Sequence, residues 1–373
     1  MRAILTGGGT GGHIYPAVSI AREIQRRYKD AEIIFVGTEK GLESQIVPKE
    51  GFLLKTIKVR GFERKLTLKN LVAVKEAVFS FADARRIIKA YKPDIVIGTG
   101  GYVCGTVMLS AALMGIPTVI HESNAFAGLT NKILFRFIDK IALNFEEAVK
   151  YFNNPKKVVV TGNPIRTDIF DITKHDGMLE LGFDESIPLV LVTGGSRGAR
   201  KINQSILSLA EYCCKTGKLQ LLHMTGDTQY KEVLQSYKEK NIPVDSTFIR
   251  VVPYLYNMPY ALAASDLIIN RCGAMTLSEI TALGKPSVLI PYPYAADNHQ
   301  EYNARALEKK GAAVVIIEKD LTEDKLKDTV LELFGNKQKL EMMAENSKKL
   351  GIQNAAEKIG DIISKLLSSK VIK

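Results

Sequence analysis

Residues 3–18 read AILTGGGTGGHIYPAV: a short apolar run, a run of glycines, then a helical pattern. An uninterrupted apolar run such as Ala3–Leu5 predicts a parallel strand buried on both faces. Gly7, Gly9 and Gly12 satisfy a G-x-G-x-x-G spacing at a strand-to-helix turn. Glycine at so many positions lets a ligand's polar groups approach backbone amides closely. His13 stands where the loop meets the helix, at the carboxyl end of a first parallel strand. The positive end of the helix dipole favours a neutral imidazole there, and a neutral imidazole is a competent general base. Pro16 is read into the first turn of that helix, where proline is tolerated. No acidic residue is evident at the end of the next strand, Ile33–Val36, where a dinucleotide-binding fold would place one.

Outward from this stretch, short apolar runs alternate with helical patterns. In the first half the predicted strands are Ala3–Leu5, Ile33–Val36, Leu53–Val59, Ile95–Ile97, Thr118–Ile120, Ile141–Leu143 and Val158–Val160. In the second half they are Leu189–Val192, Gln220–His223, Phe248–Val251, Leu267–Ile269, Ser287–Ile290 and Ala313–Ile317. Two such series predict two doubly wound α/β domains with parallel sheets. Pro164 and the polar stretch after it set the boundary, giving domains 1–163 and 164–353, with a last helix, about 354–373, returning to the first. Ile95–Ile120 carries no charge, but Gly98, Gly100, Gly101 and Gly115-Ile116-Pro117 break it into strand, loop, helix, turn and strand.

The strand ends carry the chemistry. Ile95–Ile97 enters Gly98-Thr99-Gly100-Gly101-Tyr102, and Thr118–Ile120 enters His121-Glu122-Ser123-Asn124. Leu189–Val192 enters Gly194 to Arg200, whose amides, hydroxyl and arginines at a helix start suit phosphate. No GxxxxGK[ST] motif is present, which disfavours a P-loop nucleotidase. Leu267–Ile269 enters Asn270 to Glu279, where Thr276 and Glu279 share a helix face. Such a pair can offer a hydroxyl to a phosphate and a carboxylate to ribose hydroxyls.

Composition narrows the class. The 373 residues are 46% hydrophobic and 24% charged, and the first apolar run is too short for a signal peptide. The four cysteines form no CxxC pair and the five histidines no HExxH pair, so neither a disulfide framework nor a metal site is expected. The net charge of +11 lies almost wholly in residues 1–163, with 24 Lys+Arg against 14 Asp+Glu. A basic face attracts nucleic acid or acidic lipid. No nucleic-acid-binding signature accompanies it. Between Phe52 and Lys75, seven basic residues oppose only Glu63 and interleave with Leu66, Leu68, Leu71 and Val72, a pattern expected to dock on anionic lipid.

Seven segments then match a known pattern in order and spacing: GGGTGGHIYPA (7–17), GTGGYV (98–103), GIPTVIHESNAFAGLTNK (115–132), GNPIR (162–166), GGSRGARKINQ (194–204), RCGAMTLSEI (271–280) and NHQEYNA (298–304). Over nearly its full length the chain resembles the MurG family of peptidoglycan glycosyltransferases. The resemblance implies a GT-B fold, two Rossmann-like domains facing a cleft, and inverting transfer without metal or other cofactor. It implies UDP-N-acetylglucosamine as donor and undecaprenyl-diphospho-N-acetylmuramoyl-pentapeptide (lipid I) as acceptor. The enzyme would work as a peripheral protein at the cytoplasmic face of the bacterial membrane. A related GT-B enzyme with another lipid acceptor is the alternative. By the same resemblance His13 is the base and Gly100, Gly101 and Tyr102 lie with it on the acceptor side. Thr10, Gly11, Gly12, Asn124, Arg166, Ser196, Leu255, Ala274, Met275, Thr276, Glu279 and Gln300 are implied to bind the donor. Some relatives carry two glutamines where this chain has His299-Gln300.

Overall fold

The computed structural model describes residues 1–58, 68–195 and 198–371; for 68–78, 370 and 371 it describes the backbone only. The chain divides into two compact units, Met1–Ile165 with Gln353–Lys373, and Arg166–Ile352.

The first unit holds β1 (Arg2–Gly7), β2 (Glu32–Gly37), β3 (Leu53–Thr56), β4 (Ile95–Gly100), β5 (Thr118–Glu122), β6 (Lys140–Leu143) and β7 (Val158–Val160). All pair in parallel, in the order β3-β2-β1-β4-β5-β6-β7. Side chains alternate between two layers: Ala3 and Leu5 pack under the helices Gly11–Arg27 and Ala355–Val371, while Ile4 packs with Val103 and Met108 of the helix Tyr102–Leu113. Burial on both faces is why the strands read as unbroken apolar runs.

The second unit repeats the plan with β8 (Leu189–Thr193), β9 (Gln220–Met224), β10 (Ile249–Val252), β11 (Leu267–Asn270), β12 (Ser287–Leu289) and β13 (Ala313–Val315). Their order is β10-β9-β8-β11-β12-β13, again parallel. A shared brace marks the repeat. Asp94 before β4 accepts from the Arg2 amide at 2.7 Å, and Asp266 before β11 accepts from the Leu189 amide at 2.9 Å. In each sheet the strand order reverses beside the first strand, between β1 and β4 and between β8 and β11, the place where doubly wound sheets open a crevice for ligands.

Each of the thirteen predicted strands is present. Three end earlier than read: β3 stops at Thr56, with Val59 outside the described residues, β12 stops at Leu289, and β13 stops at Val315. The charge-free Ile95–Ile120 forms β4, the helix Tyr102–Leu113 and the start of β5. Among the described residues no helix is long and apolar enough to cross a membrane. Pro16 falls in the second helical turn rather than the first, because the helix begins at Gly11. Its missing N–H leaves the Gly12 carbonyl without its helical donor.

Candidate active site

In the first unit the loops after β1 and β4 interlock. The Gly8 amide donates to the Gly100 carbonyl at 3.3 Å. The chains approach so closely that a Cβ on Gly101 would stand 2.5 Å from the Gly8 oxygen, and one on Gly7 2.0 Å from Thr99 Oγ1. Thr99 in turn donates its hydroxyl to the His13 carbonyl at 2.7 Å, tying β4 to the first helix. The run of glycines therefore has two duties. Gly7 and Gly8 are consumed by packing, whereas Gly9 (φ +83°) has open space around it and Gly12 meets only Thr10. Thr10 is exposed at the N-cap and its side chain caps nothing.

His13 is half-buried and its ring lies against Gly100, where a Cβ would be 2.9 Å from Nε2. Its Nδ1 is 3.0 Å from the Gly8 carbonyl oxygen. A carbonyl can only accept, so Nδ1 carries the hydrogen and, in the neutral ring, Nε2 holds the lone pair. His121 at the end of β5 behaves differently. It is fully buried, donates from Nε2 to the Gly162 carbonyl (3.1 Å) and accepts from Ser123 Oγ (3.3 Å). Burial drives its pKa down to about 4, the Gly162 bond only partly opposing, so it stays neutral and structural at ordinary pH. Asn124 is held by Glu122, whose Oε1 accepts from the Asn124 amide at 3.0 Å while Oε2 accepts from Gly128 and Asn131. Tyr102, 65% exposed, starts the helix after Gly101.

The second unit presents a different surface. The helix Ala274–Ala282 follows β11, with Gly273 at its N-cap and no side-chain cap. Nothing lies within 4 Å of a Cβ placed on Gly273, so there is open space beside the helix start, at the positive end of the dipole. Gln300 closes the neighbouring loops. Its Oε1 accepts from the Cys272 amide (3.1 Å) and the Tyr292 amide (3.0 Å), which fixes the carboxamide orientation. The Gln300 NH₂ has no hydrogen-bond partner among the described residues, so both its donors remain for a ligand. Asn303, fully buried, donates to the Cys272 carbonyl at 3.2 Å. Asp297 and Asn298 just before both adopt left-handed φ (+50° and +54°).

Glu279 is half-buried one turn into the same helix. Burial lifts its pKa to about 7; Arg166 pulls it down and Asp168 pushes it up. The Arg166 guanidinium is itself engaged by Asp168, from Nε at 2.5 Å. Leu255 follows the edge strand β10 with its side chain buried between the more exposed Tyr254 and Tyr256. Ser196 lies outside the described residues, while the adjacent Gly195 (φ +83°) has open space around it. Arg271, in the loop after β11, spends its guanidinium on the Ile290 and Pro291 carbonyls and Glu318.

Comparison with known proteins fits this architecture. Residues 3–143 match the glycosyltransferase family 28 N-terminal domain and residues 189–359 the C-terminal domain of the same family. A protein of Thermoanaerobacter pseudethanolicus is 53% identical over 98% of this chain and 100% of its own length; it is named UDP-N-acetylglucosamine--N-acetylmuramyl-(pentapeptide) pyrophosphoryl-undecaprenol N-acetylglucosamine transferase. A protein of Acetivibrio thermocellus with the same name is 50% identical over 99% of both chains. The crystal structure of Acinetobacter baumannii MurG superposes with a TM-score of 0.78 at 30% identity, covering 98% of this chain and 99% of that one. The chain belongs to glycosyltransferase family 28, in the MurG family.

Membership gives the two doubly wound units their architectural name, GT-B. Within this MurG-family chain, one residue near the glycine loop went unread in the sequence. Glu43 stands six residues beyond the end of β2 and is 1% exposed. It starts the helix Glu43–Lys49, and its carboxylate accepts from the Gly9 amide at 3.0 Å. Three glycines surround it in the fold: Cβ atoms on Gly8, Gly37 and Gly41 would each stand within 2.6 Å of its side chain, a packing that no sequence spacing announces.

Proposed function

We propose that this enzyme transfers N-acetylglucosamine from UDP-N-acetylglucosamine to the C4 hydroxyl of lipid I, with inversion, forming lipid II for peptidoglycan. The names of its relatives support the substrates. One observation carries the mechanism: His13 is locked with Nδ1–H on the Gly8 carbonyl, leaving Nε2 as a free base among open glycines. The acceptor oxygen attacks the anomeric carbon from the face opposite UDP while its proton passes to Nε2. The carbon–oxygen bond to the β-phosphate breaks, and the diphosphate takes the electron pair. The start of the helix Ala274–Ala282, at the positive end of its dipole, stabilises that developing charge. Glu279 accepts from ribose hydroxyls, and the Gln300 NH₂ holds hydroxyls of the transferred sugar. Thr10, Gly11, Gly12 and Asn124 are assigned to the donor, and Gly100, Gly101 and Tyr102 to the acceptor. Arg166, Ser196 and the Leu255 backbone complete donor binding.

The acceptor's lipid chain requires a membrane surface. The basic segment Phe52–Lys75 lies mostly outside the described residues. The helix Leu68–Tyr91, however, packs along the helix Tyr102–Leu113. Nearby, Leu113, Leu129, Ile133 and Phe137 are each about half exposed or more, with the exposed Arg136 among them. Apolar side chains ringed by cations suit anionic lipid.

Two measurements test the reading. In a transfer assay with UDP-N-acetylglucosamine and a lipid I analogue, His13→Ala should lose about 10²–10⁴-fold in kcat; near-normal turnover would show that another group removes the proton. In vesicle flotation, Leu129→Glu/Ile133→Glu should abolish binding to anionic vesicles, and unchanged binding would take this face out of the mechanism.

A further inference from the structure

Glu43 and His13 belong to different elements, yet they meet the two ends of one peptide group. The Gly9 N–H donates to Glu43 Oε2 at 3.0 Å, and the Gly8 carbonyl accepts from His13 Nδ1 at 3.0 Å. Those N–H and C=O groups are the same planar, conjugated Gly8–Gly9 amide. A carboxylate on the N–H end pulls the amide hydrogen, enriches the carbonyl oxygen and makes it a stronger acceptor.

The carboxylate is built in rather than incidental. It is buried, and its other oxygen accepts from the Thr38 amide (2.8 Å) and hydroxyl (2.6 Å). No cationic side chain among the described residues pairs with it. A buried, unpaired anion is expensive, and it persists because its hydrogen-bond donors hold it ionised. Burial alone would raise its pKa, but the Thr38 hydroxyl, the Gly9 amide and nearby backbone amides bring it below the usual value. Gly8, Gly37 and Gly41 leave room for no residue type larger than glycine against it. His121, which interacts electrostatically with His13, is kept neutral at ordinary pH by its burial.

We propose that Glu43 is the positioning residue of the His13 base, acting through the Gly8–Gly9 peptide to hold the Nδ1–H tautomer and aim Nε2 at the acceptor. The logic is that of a carboxylate orienting a catalytic histidine, with one amide inserted between them. It rests on the reading of His13 as base, and its test separates the two ideas. The charge-neutral variant Glu43→Gln should lower kcat by about 10–100-fold with little change in donor KM, the size of effect seen when the outer partner of a functional histidine is removed. In the His13→Ala background the same change should cost less than about twofold, because the residue it serves is gone. Equal losses in both backgrounds would make Glu43 a scaffold residue and overturn the proposal, while leaving His13 as base. A harmless His13→Ala would sink the base itself.

A second readout needs no variant. Nitrogen-15 NMR of histidine-labelled, full-length protein should show neutral His13 with its hydrogen on Nδ1. A hydrogen on Nε2 would overturn the proposal even if Glu43→Gln failed to fold. Thr38→Val, which removes one donor from the carboxylate and keeps its charge, should fall between wild type and Glu43→Gln in kcat; wild-type turnover in both variants would also overturn it.

Discussion

Glu279 shows what a single side chain can impose on the pH response of donor binding. A carboxylate accepting from ribose hydroxyls must be ionised, yet burial holds this one near pH 7. Ionisation falls from about nine-tenths at pH 8 to about one-tenth at pH 6. UDP-N-acetylglucosamine affinity should therefore drop up to about tenfold across that range, as read by titration calorimetry. Glu279→Gln should bind weakly at pH 8 and lose the dependence; a wild-type affinity flat from pH 8 to 6 would remove Glu279 from the ribose. What the sequence shows is placement: Thr276 and Glu279 lie three apart, and the helix Ala274–Ala282 carries both. Glu43 was not legible, since no spacing rule links it to a peptide thirty-odd residues away. Sequence shows that Gly8 is a glycine, not that a carboxylate occupies the place of its missing side chain.

At the scale of elements, the central strands were readable because both faces of each sheet are covered, which makes β1, β4, β8 and β11 mainly apolar runs. Helix starts were harder. Pro16 was placed a turn too early because glycines give no sign of where helical geometry begins. How the last helix seats was invisible for a related reason: it depends on a crossing point. Gly360 lets Arg27 pass, since a Cβ there would stand 2.5 Å from Arg27 Nε. Arg27 is pinned by Glu23 (2.5 Å), Asp361 (2.7 Å) and the Glu357 carbonyl (2.7 Å), so it cannot yield. Alanine is normally better than glycine inside a helix by about 1 kcal/mol. Here Gly360→Ala should instead destabilise by ~1–2 kcal/mol, because it breaks charge-assisted bonds. In an Arg27→Ala background the sign should reverse, with Gly360→Ala stabilising by up to ~1 kcal/mol. Thermal melts of the four proteins decide it; stabilisation in the wild-type background would mean that the crossing carries no strain.

For the whole molecule, the two units share a plan but differ in their response to acid. Each buries one neutral histidine. His121 in the first unit is held down at about 4, and His223 in the second at about 3, in both cases chiefly by burial. His223 sits in a closed network, accepting from the Tyr237 hydroxyl (3.0 Å) and donating to Asn203 Oδ1 (3.0 Å), with Asn203 donating on to the Thr225 carbonyl under the glycine loop. A histidine whose folded pKa is depressed binds its proton only on unfolding. The stability it contributes is full above pH 6.5 and is lost as pH falls toward the folded value. Between pH 7 and 5 each should cost its unit ~2 kcal/mol. Glu279 works the other way and belongs to the second unit alone. Its folded pKa of about 7 exceeds the ordinary 4.5, so its burial as an anion destabilises above pH 7, and protonation relieves that on acidification. Discounted for its partial exposure, the relief is roughly 1–2 kcal/mol, enough to offset most of the His223 loss. The lowered pKa values of Glu23 and Glu43 in the first unit take effect only below the carboxylate range and do not enter this window. Hydrogen exchange of the ligand-free protein, corrected for intrinsic rates, should show opening free energies in β4–β6 falling by ~2 kcal/mol from pH 7 to 5 while those in β8, β9 and β11 change by less than half as much. Glu279→Gln should remove the compensation and make the second unit as acid-sensitive as the first. Equal losses in both units of the wild type would mean that Glu279 is not the buried anion its environment implies.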